Sequence, residues 1–177
     1  METQRFLIRE PEFGDYEYFV RWENDPMVTK YLTYDEERSY EEVVTEAIYN
    51  KYSKDRMDVT IVERETYRPV GRVFVSRVDT QSDSLDITKF YIGETELWGQ
   101  GIAREIINEL LEYFFTFLHM ERVTIDHYVG NKRAHTLYES IGFRQEGTGR
   151  HATKKNGQYY DLVFMSILRS EVFGEKD

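Results

Sequence analysis

Apolar residues recur along this chain at two spacings, and the places where the spacing changes mark its elements. Residues 14–24 carry Tyr16, Phe19, Val20 and Trp22 at helical intervals. Residues 39–52 repeat the pattern with Val43, Val44, Ala47, Ile48 and Tyr52. Ser39 followed by Glu42 is a capping-box pair, which satisfies two free N–H groups at a helix start. The strongest stripe runs over 102–118, with Ile102, Ile106, Leu110 and Phe114 on one face and Ile107, Leu111 and Leu118 beside it. A shorter helix is predicted over 132–141.

Between the helical runs the period falls to two. Strands are predicted at 6–9, 58–65, 70–78 and 85–92, with turns at Tyr67-Arg68-Pro69 and Gln81-Ser82-Asp83. A fifth, at 123–129, places Val123, Ile125, His127 and Val129 on one side. Two more, 143–150 and 159–168, close around Asn156-Gly157. Residues 26–38 read as polar and irregular, and residues 171–177 as a frayed tail. The predicted order is β-α-α-β-β-β-α-β-α-β-β. It describes one α/β domain over residues 1–170 with a mixed central sheet.

Composition narrows the function. A chain of 177 residues is one domain by size and can bury a sizeable core. It has no cysteine, which excludes disulfides, thiolate metal sites and a cysteine nucleophile. Its four histidines show no metal-ligand spacing, so no metal is expected. The net charge of −10 argues against nucleic acid and favours cationic partners. No apolar run approaches the roughly 18 residues of a membrane span, and the N-terminus lacks a charged-then-apolar leader pattern. The expectation is a cytoplasmic protein without membrane contact; a homo-oligomer is compatible with the sequence.

The candidate chemistry begins at Trp98-Gly99-Gln100-Gly101-Ile102-Ala103-Arg104, between a predicted strand and the long helix. Glycines there let the backbone pass close to a ligand, and the helix start adds a positive dipole end. Such a turn suits a pyrophosphate. The loop lacks Gly-Lys-Ser/Thr, so it is not the P-loop of a nucleotide kinase. Downstream lies Asn131-Lys132-Arg133-Ala134, followed by Tyr138 and Gly142-Phe143.

Taken together, these stretches resemble the two signatures of the GNAT superfamily of acetyl-CoA-dependent N-acetyltransferases. Trp98 stands where the family usually has Gln or Arg. That departure, with Trp22-Glu23-Asn24-Asp25-Pro26 and the ending Asn156 to Met165, resembles the branch of ribosomal-protein N-terminal and spermidine acetyltransferases. The resemblance spans roughly residues 6–168. It implies acetyl-CoA as co-substrate, held by the backbone at Gly99, Gly101, Ala103 and Arg104, with Trp98 and Ile102 packing nearby. It implies carbonyl polarisation by the strand residues Phe90, Tyr91 and Ile92. It also implies contacts to the cofactor arm from Asn131 and Ala134, and protonation of the leaving thiolate by Tyr138. A phenol can serve that last role if it lies within hydrogen-bond reach.

No single base stands out in the sequence. His127 titrates in the useful range, although a buried histidine is ordinarily a satisfied core residue. Glu36, Glu37 and Asp86 are weaker candidates, and a water chain is another. Two acceptors compete. A polyamine-like small molecule is slightly favoured by the acidity and by Asp35-Glu36-Glu37; the alternative is a protein's N-terminal α-amine. A non-catalytic acyl-CoA-binding module and a ligand-free interaction protein are the remaining classes.

Overall fold

The computed structural model describes residues 1–34 and 37–174. Seven strands form one sheet in the order β1-β2-β3-β4-β5-β7-β6. They are β1 (Phe6–Arg9), β2 (Met57–Glu63), β3 (Pro69–Asp79), β4 (Ser84–Ile92), β5 (Arg122–Tyr128), β6 (Arg144–Lys155) and β7 (Gln158–Leu168). Only β4 and β5 pair in parallel, because α4 (Ile102–Thr116) crosses between them. All the other strand pairs are antiparallel.

Strand alternation sends two sets of side chains to two helical layers. Val59 and Ile61 of β2, Val73 and Val75 of β3, and Leu85 and Ile87 of β4 pack with Ile106, Leu110 and Phe114 of α4. These groups are at most 3 % exposed. On the opposite face, α1 (Asp15–Glu23) and α3 (Tyr40–Tyr52) bring Phe19, Trp22 and Val43 against Tyr91. Ser39 caps α3 with the predicted reciprocal bonds to Glu42.

The second layer holds an ion network at its centre. Arg72 is fully buried; its Nε and Nη2 bond Asp58 at 2.9 and 2.5 Å, and its Nη1 bonds Glu23 at 2.6 Å. The Tyr91 hydroxyl donates to the same Glu23 oxygen at 2.9 Å. Removing one member of such a network leaves an uncompensated buried charge, costing about 3–5 kcal/mol. Nearby, Gly93 lies under Trp22; a Cβ there would fall 2.1 Å from the indole ring.

Three segments differ from the sequence reading. The segment 26–38 contains a short helix, α2 (Pro26–Thr29), whose start is explained by Asp25: its side chain accepts from Met27 N, and Pro26 follows as the first helical residue. β6 continues five residues past 150, through a bulge between Gly149 and Thr153. A last helix, α6 (Arg169–Phe173), occupies the start of the expected tail, and Phe173 meets Phe115 edge-on.

Candidate active site

The site begins where two parallel strands part. β4 and β5 are in register from Ser84 opposite Arg122 to Ile87 opposite Ile125, and their pairing stops there. Beyond that point β4 follows β3, with Phe90 opposite Val73 and Ile92 opposite Gly71. β5 follows β7, with Asp126 opposite Phe164 and Tyr128 opposite Leu162. Thr88 is the extra residue of a bulge against β3 at the parting point, and a bulge bends and twists its strand. A cleft of about 870 Å³ fills the wedge. Its walls include Lys89, Phe90, Tyr91 and Ile92 from β4, and Asp126, His127 and Tyr128 from β5. Met27, Val28 and residues 30–33 border it, and Lys155 Nζ ties the β6–β7 hairpin to that segment through the Thr29 carbonyl.

At one end of the cleft stands the glycine turn. Gly99 and Gly101 have φ of 83° and 76°, left-handed values that favour glycine. Gly101 is the N-cap of α4 and offers no side-chain cap. The first intrahelical bond runs from Glu105 N to Gly101 O, so the N–H groups of Ile102, Ala103 and Arg104 have no helical acceptor. Trp98 Nε1 donates to the Ile92 carbonyl at 2.8 Å, and the Arg133 guanidinium lies 5.2 Å from the Trp98 ring centre. Ile102 is core, 3 % exposed, while Arg104 bridges to α5 (Lys132–Ile141) through the Ser140 carbonyl and hydroxyl at 2.9 and 2.5 Å.

On the opposite wall, α5 is capped by Asn131, whose Oδ1 accepts from Ala134 N at 3.2 Å. Asn131, Ala134 and Tyr138 all border the cleft. Tyr138 is 6 % exposed, with its ring centre 6.0 Å from His127 and 5.9 Å from Phe143. Burial, and then the nearby Asp126 charge, push the Tyr138 phenol well above its ordinary value, so it stays protonated at neutral pH.

The base candidates separate clearly. His127 is 6 % exposed; its Nδ1 lies 2.9 Å from the Tyr128 carbonyl and its Nε2 lies 3.1 Å from His135 Nδ1. Burial pushes its pKa down. It borders the cleft with both ring nitrogens engaged, as a satisfied core histidine does. Asp86 is 4 % exposed and engaged by Thr88, Thr124 and Arg77 outside the cleft wall. Glu37 is exposed, and Asp35 and Glu36 lie outside the described residues.

The residue missed by sequence reading is Asp126. Its carboxyl, on the cleft wall, is pushed up to about 6, by burial first and then by the Asp86 charge, with Arg77 opposing. Alternation along β5 puts Asp126 on the face opposite His127, which reads as solvent-facing in an unbroken sheet. The wedge exposes both faces of β5 to one cleft. Lys89 is also new: its Nζ lies 3.1 Å from Glu46 and 4.5 Å from the Tyr34 ring centre. Val129, predicted to share a strand face with Val123, Ile125 and His127, lies beyond the strand and is 54 % exposed. The side chain of Tyr91 is turned to Glu23, and its backbone faces β3 opposite Arg72, as does that of Gly93, whose N–H donates to the Val70 carbonyl. Phe90 and Ile92 are the residues of this stretch whose backbone groups turn into the wedge.

The family model for the acetyltransferase (GNAT) domain matches residues 5–144. The chain belongs to the GNAT family. It is an N-acetyltransferase with acetyl-CoA as co-substrate. Among GNAT relatives, it is 28% identical over 176 residues to a spermidine N(1)-acetyltransferase of Vibrio cholerae, covering 99% of each chain. It is 29% identical over 157 residues to the putative ribosomal N-acetyltransferase YdaF of Bacillus subtilis, covering 87% of this chain and 85% of that one. A spermidine N-acetyltransferase from Vibrio cholerae, solved with CoA and spermine, shares the GNAT fold at a TM-score of 0.87. That alignment has 24% identity and covers 97% of this chain and 99% of the other. No helix among the described residues is long and apolar enough to cross a membrane.

Proposed function

We propose that this enzyme acetylates a primary amine of a polyamine-like small molecule, with Asp126 as general base and Tyr138 as general acid. The observation that carries the reading is the pairing of these two groups in one wedge. Asp126 is a carboxyl that burial pushes up to about 6, and Tyr138 is a buried, protonated phenol that feels its charge. Paired titratable groups whose environments push them to different tasks are the usual mark of acid–base chemistry.

The residues fit a bound acyl-CoA. The uncapped N–H groups of Ile102, Ala103 and Arg104 suit the pyrophosphate, and Gly99 and Gly101 carry no Cβ to obstruct it. Arg133, beside Trp98, adds positive charge at the same end of the cleft, and Lys132 adds another on its wall. Trp98, Asn131 and Ala134 border the path of the cofactor arm. Acetyl-CoA supplies the acetyl thioester. Beyond Ile87, the backbone N–H groups of Phe90 and Ile92 turn to the wedge side, free of β5, and can polarise its carbonyl. Asp126 takes one proton from the ammonium form of the acceptor, and the freed amine forms the N–C bond as the C–S bond breaks. Tyr138 gives its proton to the sulfur and regains one from the nitrogen. One proton per turnover leaves through Asp126.

Support for the polyamine class comes from the full-length similarity to a spermidine acetyltransferase, and from Asp126 as a carboxylate able to draw an ammonium inward. A second reading, acetylation of a protein N-terminus, is favoured by Lys30 and Lys89 on the cleft wall, since a polycation would meet like charges there. Release of CoA thiol, measured with spermidine, spermine, simple monoamines and short peptides with free N-termini, decides between them. Turnover confined to peptides overturns the polyamine assignment. Absence of turnover with every amine, in protein that binds acetyl-CoA, overturns the assigned chemistry for amines of those classes.

A further inference from the structure

Asp126 has a second carboxylate behind it, outside the cleft wall. Asp86 is buried on β4 and stands opposite Thr124 in the parallel pairing. Thr124 precedes Asp126 by two residues, so both belong to one face of β5, and ordinary strand spacing brings Asp86 and Asp126 to about 8 Å between Cα atoms. The Asp86 carboxylate is held by three groups: Thr88 Oγ1 at 2.8 Å, Thr124 Oγ1 at 2.7 Å and Arg77 Nη2 at 3.0 Å. Arg77 comes from the irregular end of β3, where its φ is 53°, and its side chain is otherwise 74% exposed. A left-handed non-glycine residue is costly to keep, and here it lets β3 send a cation to the buried carboxylate.

We propose that Asp86 and Arg77 are positioning residues of the transfer reaction, a charge pair behind the wedge that sets the pH range in which Asp126 accepts the acceptor's proton. The proposal rests on the reading of Asp126 as the base. Asp86 faces it from β4, Arg77 from β3 and the Tyr138 phenol from α5; Phe164, opposite it on β7, is uncharged. The two members act with opposite sign. A carboxylate nearby disfavours ionisation of Asp126, and a guanidinium favours it. This agrees with the direction in which each moves the Asp126 carboxyl, burial being the larger cause. Because Arg77 is mostly in water, its share is screened by salt, whereas that of buried Asp86 is screened much less.

The test uses the full-length enzyme with Asp86→Asn and Arg77→Gln. NMR titration of the Asp126 carboxyl, which needs no turnover, is read beside the acid limb of kcat/KM. Asp86→Asn is expected to move both midpoints down by about half a pH unit or more, and Arg77→Gln to move them up by a smaller amount. A merely structural role would lower activity without displacing the limb. Midpoints that stay fixed in both variants, or move in the same direction, overturn the tuning. If Asp86→Asn does not fold, Arg77→Gln and its salt dependence carry the same test, and an unmoved midpoint there overturns the proposal. Near-normal turnover by Asp126→Asn overturns the base assignment beneath it, and is recognised independently of the NMR midpoints.

Discussion

The indole Nε1 of Trp98 donates a 2.8 Å hydrogen bond to the carbonyl of Ile92, fastening the glycine turn to the last residue of β4. One bond thus couples the two elements assigned to the two ends of the co-substrate, the pyrophosphate turn and the strand beside the thioester. Trp98→Phe keeps most of the ring packing and loses the donor. It is expected to cost about 1 kcal/mol of stability and to weaken acetyl-CoA binding several-fold. Calorimetry with acetyl-CoA checks it; unchanged affinity would show that the turn holds its place without the strand.

Gly101 tests the turn itself. Its φ of 76° strains any residue with a Cβ, and a carboxylate at the N-cap of α4 would itself occupy the helix-start N–H groups assigned to the anion and repel it. Gly101→Asp sets a carboxylate where an anion should bind, and most acetyl-CoA affinity should be lost. A folded variant with unaltered affinity would sink the pyrophosphate assignment.

Tyr138→Phe removes the proton donor and keeps the ring against Phe143 and His127. Turnover should fall by about 10²-fold or more, the usual range for a general acid, while acetyl-CoA affinity changes little. Retained turnover in this variant makes Tyr138 a packing residue.

Asp126→Asn separates function from stability. The folded carboxyl titrates at about 6 and the unfolded one near its ordinary 3.8, so the folded state binds the proton more tightly. Stability therefore falls as pH rises from about 4 through 6. The penalty at pH 8 is on the order of 1–2 kcal/mol after allowance for the carboxyl's partial exposure. The Asn variant should melt above the wild type at pH 8, match it near pH 4, and lose turnover at pH 8. Equal melting temperatures at pH 8 would show that the fold does not disfavour the Asp126 charge.

How much of this was legible in the sequence depended on whether a feature is local. The stripe Ile102, Ile106, Leu110, Phe114 and the Ser39–Glu42 cap are set by short-range spacing, and both stand in the fold. The two motifs were readable as a family likeness and do border one cleft. Asp126 was not readable, because its exposure to the cleft depends on β4 and β5 parting after Ile87 and Ile125, a long-range event with no local signature. The ion network of Arg72, Glu23 and Asp58 was hidden for a similar reason: three charged residues from three elements look like surface until the sheet brings them together. Helix α2 did carry a local signal in Asp25-Pro26, masked by the polar stretch that follows.

Lys89 offers a test of how the acceptor is chosen. Its ammonium sits on the cleft wall, 3.1 Å from Glu46, with the Tyr34 and Phe74 ring centres at 4.5 and 5.6 Å. Burial pushes its pKa down and Glu46 opposes this. Burial raises the Glu46 carboxyl, but Lys89, Arg72 and Arg38 together hold it down at about 2. Arg38 at 2.6 Å and Arg72 at 3.6 Å stay beside it when Lys89 is removed and still favour its ionised form. Lys89→Gln therefore removes a positive charge from the cleft and leaves the carboxylate in place. A polyamine carries a second ammonium that must pass or approach this point, whereas a monoamine carries none. The variant should lower the spermidine KM several-fold, corresponding to about 1 kcal/mol of relieved repulsion, with little change for a monoamine. The difference should shrink as salt rises. A rise in the spermidine KM would instead make Lys89 part of the recognition surface, and the like-charge argument for a peptide acceptor would go with it.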